Sequence, residues 1–201
     1  MLIGAHVSAA GGANKAIVRA EEIGAECFQI FASSPRMWSA KPVADAVVEK
    51  YAAEMKRTMM GPTVLHGKYL VALGSVDPEL LAKSETALSA DIAAANKLSA
   101  LGVIFHPASH RGQGFEAIID QFAVSVRKVL DNEPGDSLLM LETSAGAGDH
   151  IGSTFAELGT LIKAIGNDRV AVCLDTQHVF AAGYNIAVAD TLNAAIDEFD
   201  K

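Results

Sequence analysis

Cysteine is scarce in this sequence, with two residues in a chain of 201. Cys27 and Cys173 both lie inside apolar runs, AECFQIF and VAVCLD, where a buried reduced thiol is expected more often than a disulfide. This scarcity excludes a disulfide-stabilised scaffold and argues against a structural zinc site built from cysteines. We therefore expect free thiols and a reducing, cytoplasmic environment.

Positive charge and long apolar runs are also lacking. The sequence has 16 Lys and Arg against 24 Asp and Glu, a formal net charge of -8, which argues against a general coat of phosphate-neutralising cations but not against a local site. No window reaches the roughly 18 uncharged apolar residues of a membrane span. The N-terminal MLIGAHVSAAGGA lacks the basic segment and long apolar core of a signal peptide. We expect a soluble protein with no membrane partner.

Phosphate-binding glycine motifs are absent too, since neither GxGxxG nor GxxxxGK[ST] follows a predicted strand. Short apolar runs instead alternate with segments of helical period, the pattern of βα units around a parallel sheet. Six such units fit an open doubly wound sheet or an incomplete eight-unit barrel, and the missing motifs favour the barrel. We expect one domain over 1–201, with Gly24, Gly102 and Gly166 ending helices. The predicted strands are LIGA, CFQIF, TVL, LGVIF, SLLML and VAVCL, and the predicted helices are 13–22, 43–59, 78–100, 115–131, 153–165 and 188–199.

Polar side chains recur where the predicted strands end, namely His6, His66, His106, Glu142 and Asp175. A strand buried on both faces stays apolar until it leaves the core, and the strand ends of a parallel barrel converge on one face. We therefore expect these side chains to surround one pocket. Imidazoles and carboxylates without a nearby thiolate favour zinc, manganese or iron in a hydrolase or an isomerase.

Six segments together resemble endonuclease IV, the AP endonuclease family 2 or deoxyribonuclease IV. GAHVSAAGG, PRMW, HGKYLVALG, FHPASH, LETSAG and CLDTQHVFAAGY occur in the order and spacing of that family, over the whole chain. The resemblance implies an α/β fold, a TIM-type (β/α)8 barrel, with about six of the eight βα units present. It also implies a DNA-repair enzyme that uses three zinc ions to hydrolyse the phosphodiester bond 5′ to abasic sites in double-stranded DNA.

The resemblance implies metal ligands at five positions of this sequence. His66, His106 and Glu142 match ligands of the first zinc, and the catalytic Glu142 also bridges to the second. Asp175 matches a ligand of the second zinc and His178 a ligand of the third. Three residues apart in a loop that opens a helix, Asp175 and His178 can both face the pocket while they serve different ions.

Further positions imply DNA contacts and support for the ligands. Arg36, Tyr69 and Leu70 fall where the family inserts side chains into the duplex at a missing base. A planar or apolar wedge suits such a gap, because stacking and pairing are already lost there. His6 and His110 are expected to form hydrogen bonds beside the ligands rather than to bind metal.

The sequence departs from the family pattern at several positions. Gln177 stands where Cys is usual, Gly67 and Lys68 are unusual inside the HxxYL motif, and Ser33 and Ser34 replace a more familiar Lys-Asn pair. None of these changes removes a metal ligand, and the expected fold is unaffected. The geometry of the loops and their DNA contacts do not follow from the family pattern at these positions.

The position of Lys201 implies a chain that corresponds to the N-terminal two-thirds of the family. The family continues through two more βα units, which carry a His, an Asp-x-His pair and a Glu. We therefore expect a truncated barrel with exposed edges at its first and sixth strands. We also expect a full ligand set for one zinc only and impaired cleavage of abasic DNA.

Two other functions compete with the endonuclease. One is a metal-dependent sugar isomerase or epimerase of the xylose-isomerase-like barrels, which also place His, Glu and Asp at strand ends. The other is a non-catalytic, truncated product that acts as a DNA-binding or interaction module. Arg36 and the Tyr69-Leu70 pair favour the endonuclease, because a pocket for a small sugar requires no wedge.

Overall fold

Strands and helices alternate along the chain in the computed structural model, which describes residues 1–107 and 109–200. The strands are β1 Gly4–His6, β2 Cys27–Phe31, β3 Thr63–His66, β4 Gly102–Phe105, β5 Leu138–Glu142 and β6 Val170–Cys173. The helices are α1 Ala13–Glu22, α2 Asp45–Thr58, α3 Pro78–Lys97, α4 Phe115–Asn132, α5 Phe155–Ile165, α6 Thr176–Ala181 and α7 Ala189–Phe199.

The six strands form one parallel sheet in the order β1-β2-β3-β4-β5-β6. A doubly wound sheet reverses its strand order at a switch point, whereas each strand of a (β/α) barrel pairs with its neighbours in sequence. The barrel prediction is therefore confirmed, and the doubly wound alternative is not. Within the described residues β1 and β6 are edge strands that each pair with one neighbour, as expected.

The centre of the sheet is its most buried part. Every residue of β4 is buried, as are the last four of β5, whereas β6 is half-buried along its whole length. Helix α4 covers this region, and the rings of Phe105 and Phe122 stack with centroids 6.3 Å apart. The strands that carry the predicted ligands therefore lie on a close-packed core, which holds their ends in fixed positions.

Two of the three glycines expected to end helices do so. Gly24 and Gly166, which follow α1 and α5, have φ angles of 72° and 58°. The prediction for Gly102 was wrong, because α3 already ends at Lys97 and Gly102 begins β4. A Cβ atom at Gly102 would lie 2.3 Å from the carbonyl oxygen of Leu138, so close approach of β5 is what requires glycine.

Helix α6 is a short element that the hydrophobic period did not predict. It begins directly after Asp175, whose Oδ1 accepts a hydrogen bond of 2.8 Å from the backbone N–H of His178. A carboxylate in this position satisfies one of the free N–H groups at a helix start. The cap thus orients the Asp175 carboxylate relative to the first turn of α6, which carries His178.

The two cysteines are free, as predicted, but they are half-buried rather than fully buried. They lie on β2 and β6, at opposite sides of the sheet. Among the described helices, none combines the length and the hydropathy needed to cross a lipid bilayer.

Candidate metal centre

Three polar side chains meet at the carboxyl ends of β3, β4 and β5. His66 is the last residue of β3, His106 directly follows β4, and Glu142 is the last residue of β5. The Nε2 atoms of His66 and His106 lie 3.2 Å and 3.5 Å from the same carboxylate oxygen, Oε2 of Glu142. One ligand atom from each residue lies within 4.8 Å of the others, so this group could hold a metal ion.

A second group shares Glu142 with the first. It contains Asp175 and His178, and its ligand atoms also lie within 4.8 Å of one another. His178 Nδ1 is 3.7 Å from Glu142 Oε1 and 3.7 Å from Asp175 Oδ2. Because one oxygen of Glu142 faces the first group and the other faces the second, this carboxylate has the geometry of a bridge between two cations.

Backbone carbonyls fix the orientation of the imidazoles. His66 Nδ1 donates to the carbonyl oxygen of Gly67 at 2.8 Å, which leaves Nε2 directed at Glu142. His178 Nδ1 donates to the carbonyl oxygen of Thr143, also at 2.8 Å. The hydroxyl of Thr143 accepts from the backbone N–H of Asp175 at 2.8 Å. Such hydrogen bonds select the tautomer and the ring angle of a metal-binding histidine.

Burial and the shared carboxylate shift the titration of this cluster. Burial lowers the pKa of His66, but the hydrogen bonds to Glu142 and Gly67 outweigh it, so the net pKa is raised above 6.5. Burial lowers the pKa of His106 although Glu142 opposes the shift. Burial, reinforced by Glu142, raises the pKa of the Cys173 thiol to about 11. The thiol is therefore neutral at pH 7 in the metal-free chain, which leaves nitrogen and oxygen ligands.

His6 and His110 belong to neither ligand group in the described residues. His6 Nδ1 accepts a hydrogen bond of 2.8 Å from the side-chain amide of Gln29, and its ring centroid lies 6.4 Å from that of His66. His110 Nδ1 accepts from the backbone N–H of Gly114 at 3.2 Å, at the start of α4. His6 thus packs beside a ligand, whereas His110 contacts a loop.

Tyr69, one of the predicted DNA-contacting residues, lies beside the two histidines of the first ligand group. Tyr69 is 53% exposed, and its ring centroid lies 5.6 Å from that of His66 and 5.8 Å from that of His106. Its backbone N–H donates to the carbonyl oxygen of Pro35 at 3.1 Å. This bond joins the loop of Tyr69 to the loop of Arg36, whose side chain is exposed.

A cavity of 390 Å³ adjoins the ligand groups. Tyr69, Leu70 and His106 line it. Arg111 and His150, both exposed, line it as well. A cavity with an arginine and several imidazoles in its wall suits an anionic group beside the metal ligands.

Three contributors to the site were not predicted from the sequence. Phe31 lies at the end of β2, with its ring centroid 5.3 Å from His66 and 5.6 Å from Tyr69. Thr143 orients Asp175 and His178, and Arg111 lines the cavity. Phe31 ends a strand like the predicted ligands, so its position was the available signal. Nothing in the sequence marks Arg111.

The structure also accounts for some departures from the family pattern. Gly67 fits closely, because a Cβ atom there would lie 3.2 Å from the Cβ of Phe105. Gln177 is exposed on α6 and does not face the core. Lys68 is buried.

The sheet order defines an α/β barrel with candidate metal ligands at its strand ends, and residues 17–200 match the family described as xylose isomerase-like TIM barrel. The sequence is 39% identical over 202 residues to a probable endonuclease 4 from Halorhodospira halophila, with 98% of this chain and 68% of the relative covered. The crystal structure of endonuclease IV from Thermus thermophilus superposes with a TM-score of 0.88 at 34% identity, covering 100% of this chain and 71% of that one. The chain belongs to the endonuclease IV family. A D-tagatose 3-epimerase-like protein has a TM-score of 0.70 at 15% identity, covering 96% of this chain and 72% of that one, a likeness of fold alone.

Proposed function

We propose that this chain is a zinc-dependent endonuclease that hydrolyses the phosphodiester bond 5′ to abasic sites in double-stranded DNA. The observation that supports this most strongly is the position of Glu142. Its two carboxylate oxygens face two adjacent ligand groups, and His106 and His178 of those groups line a cavity together with Tyr69 and Leu70. A carboxylate shared between two cation positions suits phosphodiester hydrolysis, in which one cation can activate water and the other can stabilise the leaving oxygen.

The donor atoms fit zinc. The group of His66, His106 and Glu142 offers two imidazole nitrogens and one carboxylate oxygen, a ligand set common in catalytic zinc sites. The Glu142 carboxylate is buried, and its near neighbours are imidazoles rather than a permanent cation. A buried carboxylate in such surroundings favours a bound cation. When bound, zinc would activate a water molecule and stabilise the charge that develops on the phosphate.

The side chains of the chain itself have distinct roles in this proposal. His66 and His106 hold the first metal position, and Glu142 joins it to the position of Asp175 and His178. The cap and carbonyl bonds around these ligands keep them in place before DNA binds. Preorganised ligands lower the barrier because less rearrangement is needed in the transition state.

Binding of DNA is assigned to the rim of the cavity. Tyr69 and Leu70 enter the gap left by the missing base, and Arg36 approaches from the adjoining loop. Arg111 and His150, which line the same cavity, contact the phosphate. With a net charge of -8, the protein would rely on these few local contacts rather than on a basic surface.

An incision assay tests the proposed function. A duplex with one abasic site is incubated with excess protein and zinc, and the products are mapped at nucleotide resolution. We expect incision on the 5′ side of the abasic site. A chelator should stop the incision, and added zinc should restore it. Incision that survives metal removal, or equal cutting of an intact duplex, would contradict the proposal. Epimerisation of a ketohexose under the same conditions would favour the sugar-epimerase alternative instead.

A further inference from the structure

Lys68 and Asp91 form an ion pair that is buried almost completely. Lys68 lies in the β3–α3 loop, residues 67–77, between the ligand His66 and the rim residue Tyr69. Asp91 lies on α3, and the exposed fractions of the two side chains are 1% and 2%. The ammonium group contacts Asp91 Oδ1 and lies 3.4 Å from the carbonyl oxygen of Ala87 on the same helix.

The burial of this pair calls for an explanation other than stability. Removing two charges from water is costly, and well-packed apolar side chains in the same place are often at least as stabilising. What an ion pair adds is direction, because the ammonium must stay within hydrogen-bonding distance of the carboxylate. Here the two charges join a loop to a 20-residue helix of the core.

Among the described residues, Lys68 is the only side chain that forms a hydrogen bond with the carboxylate of Asp91. Asp91 Oδ2 and the hydroxyl of Ser33 are buried without a hydrogen-bond partner there, and both residues line a cavity of 110 Å³ between α3 and the β2–α2 loop, residues 32–44. Lys68 is therefore the side chain that compensates the charge of Asp91. The same cavity separates α3 from the loop that carries Arg36, so the packing beside Asp91 is incomplete.

The rest of the β3–α3 loop is held by backbone hydrogen bonds and by the side chains of Val71 and Leu73, which are buried in the core. The N–H of Gly67 donates to the carbonyl of Ile104 at 2.7 Å, and that of Tyr69 donates to Pro35 at 3.1 Å. The N–H of Ala72 donates to the hydroxyl of Ser84 on α3 at 3.0 Å. Between these points, Lys68 provides the one buried side-chain attachment directly next to Tyr69 in the part of the chain that the structure describes.

We propose that Lys68 and Asp91 are positioning residues, which fix the β3–α3 loop so that Tyr69 and Leu70 are held ready to enter an abasic gap. This inference rests on the proposed function. The pair touches neither DNA nor metal, and it acts by limiting the movement of the peptide that carries the wedge. A wedge that is ordered before binding loses less entropy when it enters DNA.

The experiment separates positioning from stability. The Lys68→Met/Asp91→Leu double variant replaces the ion pair by apolar side chains, and Asp91→Asn breaks the pair while keeping its shape. Glu85→Gln is the matched control, because Glu85 also lies on α3 and pairs with a lysine, Lys128, at 2.5 Å, but outside the loop. Each variant is measured for zinc content, for melting temperature and for the ratio of its dissociation constants for intact and abasic duplexes.

We expect the double variant to melt near the wild-type temperature while its preference for abasic DNA falls about tenfold or more, with zinc content unchanged. Glu85→Gln should keep the preference within about twofold. A double variant that retains both stability and preference would overturn the inference, as would a loss of preference that follows zinc content. A wild-type chain without any preference would instead contradict the proposed function.

Hydrogen exchange provides a measurement that requires no DNA. In Asp91→Asn the amides of Tyr69 and Ala72 should exchange faster, while amides in the middle of α3 stay protected. Equal loss of protection in the loop and in α3 would mean that the pair only stabilises the fold, and it would overturn the inference. This readout also applies if the double variant does not fold.

Discussion

At the scale of single residues, Glu142 connects the chemistry of the site. His66 and His106 approach one of its oxygens, and His178 approaches the other. The sequence predicted that His66, His106 and Glu142 would converge, because each lies at or just beyond a strand end, and the family resemblance added His178. It did not predict the hydrogen bonds that orient the imidazoles, because the carbonyl partners of His66 and His178 depend on ring orientations that only packing defines.

Zinc affinity should fall as the pH is lowered, and the fall should begin at a pH above 6.5, the ordinary pKa of histidine. A proton and zinc compete for the Nε2 atom of His66, and the pKa of His66 in the metal-free chain is raised above 6.5. Well below that pKa the affinity should drop about tenfold per pH unit for each competing proton. Competition titrations with a chromophoric chelator between pH 5.5 and 8 measure this. An affinity that is constant over that range would exclude His66 as a ligand.

Tyr69 should contribute to abasic recognition without contributing to zinc binding. Tyr69→Ala removes a ring whose insertion is worth about 1–3 kcal/mol by analogy with base stacking, so affinity for an abasic duplex should fall by roughly 5- to 150-fold. Tyr69→Phe, which keeps the ring, should bind within about threefold of wild type. Fluorescence anisotropy gives the affinities, and elemental analysis gives the zinc content. If Tyr69→Ala binds the abasic duplex and an intact duplex as tightly as wild type does, insertion of Tyr69 into the abasic gap is excluded.

At the scale of elements, hydrophobic period predicted every strand and six of the helices, with ends that differ by a few residues. The unpredicted element, α6, is held by the Asp175 cap and by contact with a small second cluster of Phe155, Val179 and Ala195 rather than by a long apolar period. The error at Gly102 has a similar cause. The local sequence around a glycine does not show whether the glycine ends a helix or is required by the close approach of a neighbouring strand.

Gly102→Ala should destabilise the fold. The new Cβ would lie 2.3 Å from the carbonyl oxygen of Leu138, so β4 and β5 would have to separate where both strands begin, at the end of the sheet opposite the candidate site. We expect a loss of about 1–3 kcal/mol in the free energy of unfolding, the usual cost of overpacking.

The matched control is Gly159→Ala in α5, where no atom lies within 4 Å of the new Cβ. Alanine should stabilise this helix position by about 0.5–1 kcal/mol. Urea unfolding of both variants measures the two changes. Opposite signs are expected, and equal destabilisation would contradict the strand-spacing argument.

At the scale of the whole molecule, the parallel order places all strand carboxyl ends on one side of the sheet. This arrangement is what gathers ligands from residues far apart in sequence, and it was predictable once the barrel was preferred over the doubly wound sheet. The cavity wall was less predictable, because Arg111 and His150 come from loops whose course follows from contacts rather than from period. With a net charge of -8, we expect the DNA contacts to be confined to this one face.

Binding of abasic DNA should therefore depend only weakly on salt. Each phosphate neutralised contributes about -0.9 to the slope of log K against log salt, and two arginines, Arg36 and Arg111, lie on the proposed DNA face. We expect a slope of log K against log salt of about -2. Anisotropy titrations from 50 to 200 mM salt give this value. A slope steeper than about -5 would indicate a broad basic surface that the net charge of -8 does not support.

The most direct test of the central claim is single-turnover incision of an abasic duplex by wild type and by Glu142→Gln. Glu116→Gln, at an exposed position in the first turn of α4, is the control. Because the amide cannot bridge the two ligand groups, Glu142→Gln should cut at least about 100-fold more slowly and retain less zinc, while Glu116→Gln matches wild type. Incision by Glu142→Gln at the wild-type rate, with its zinc retained, would contradict the assignment of this carboxylate as the centre of the site.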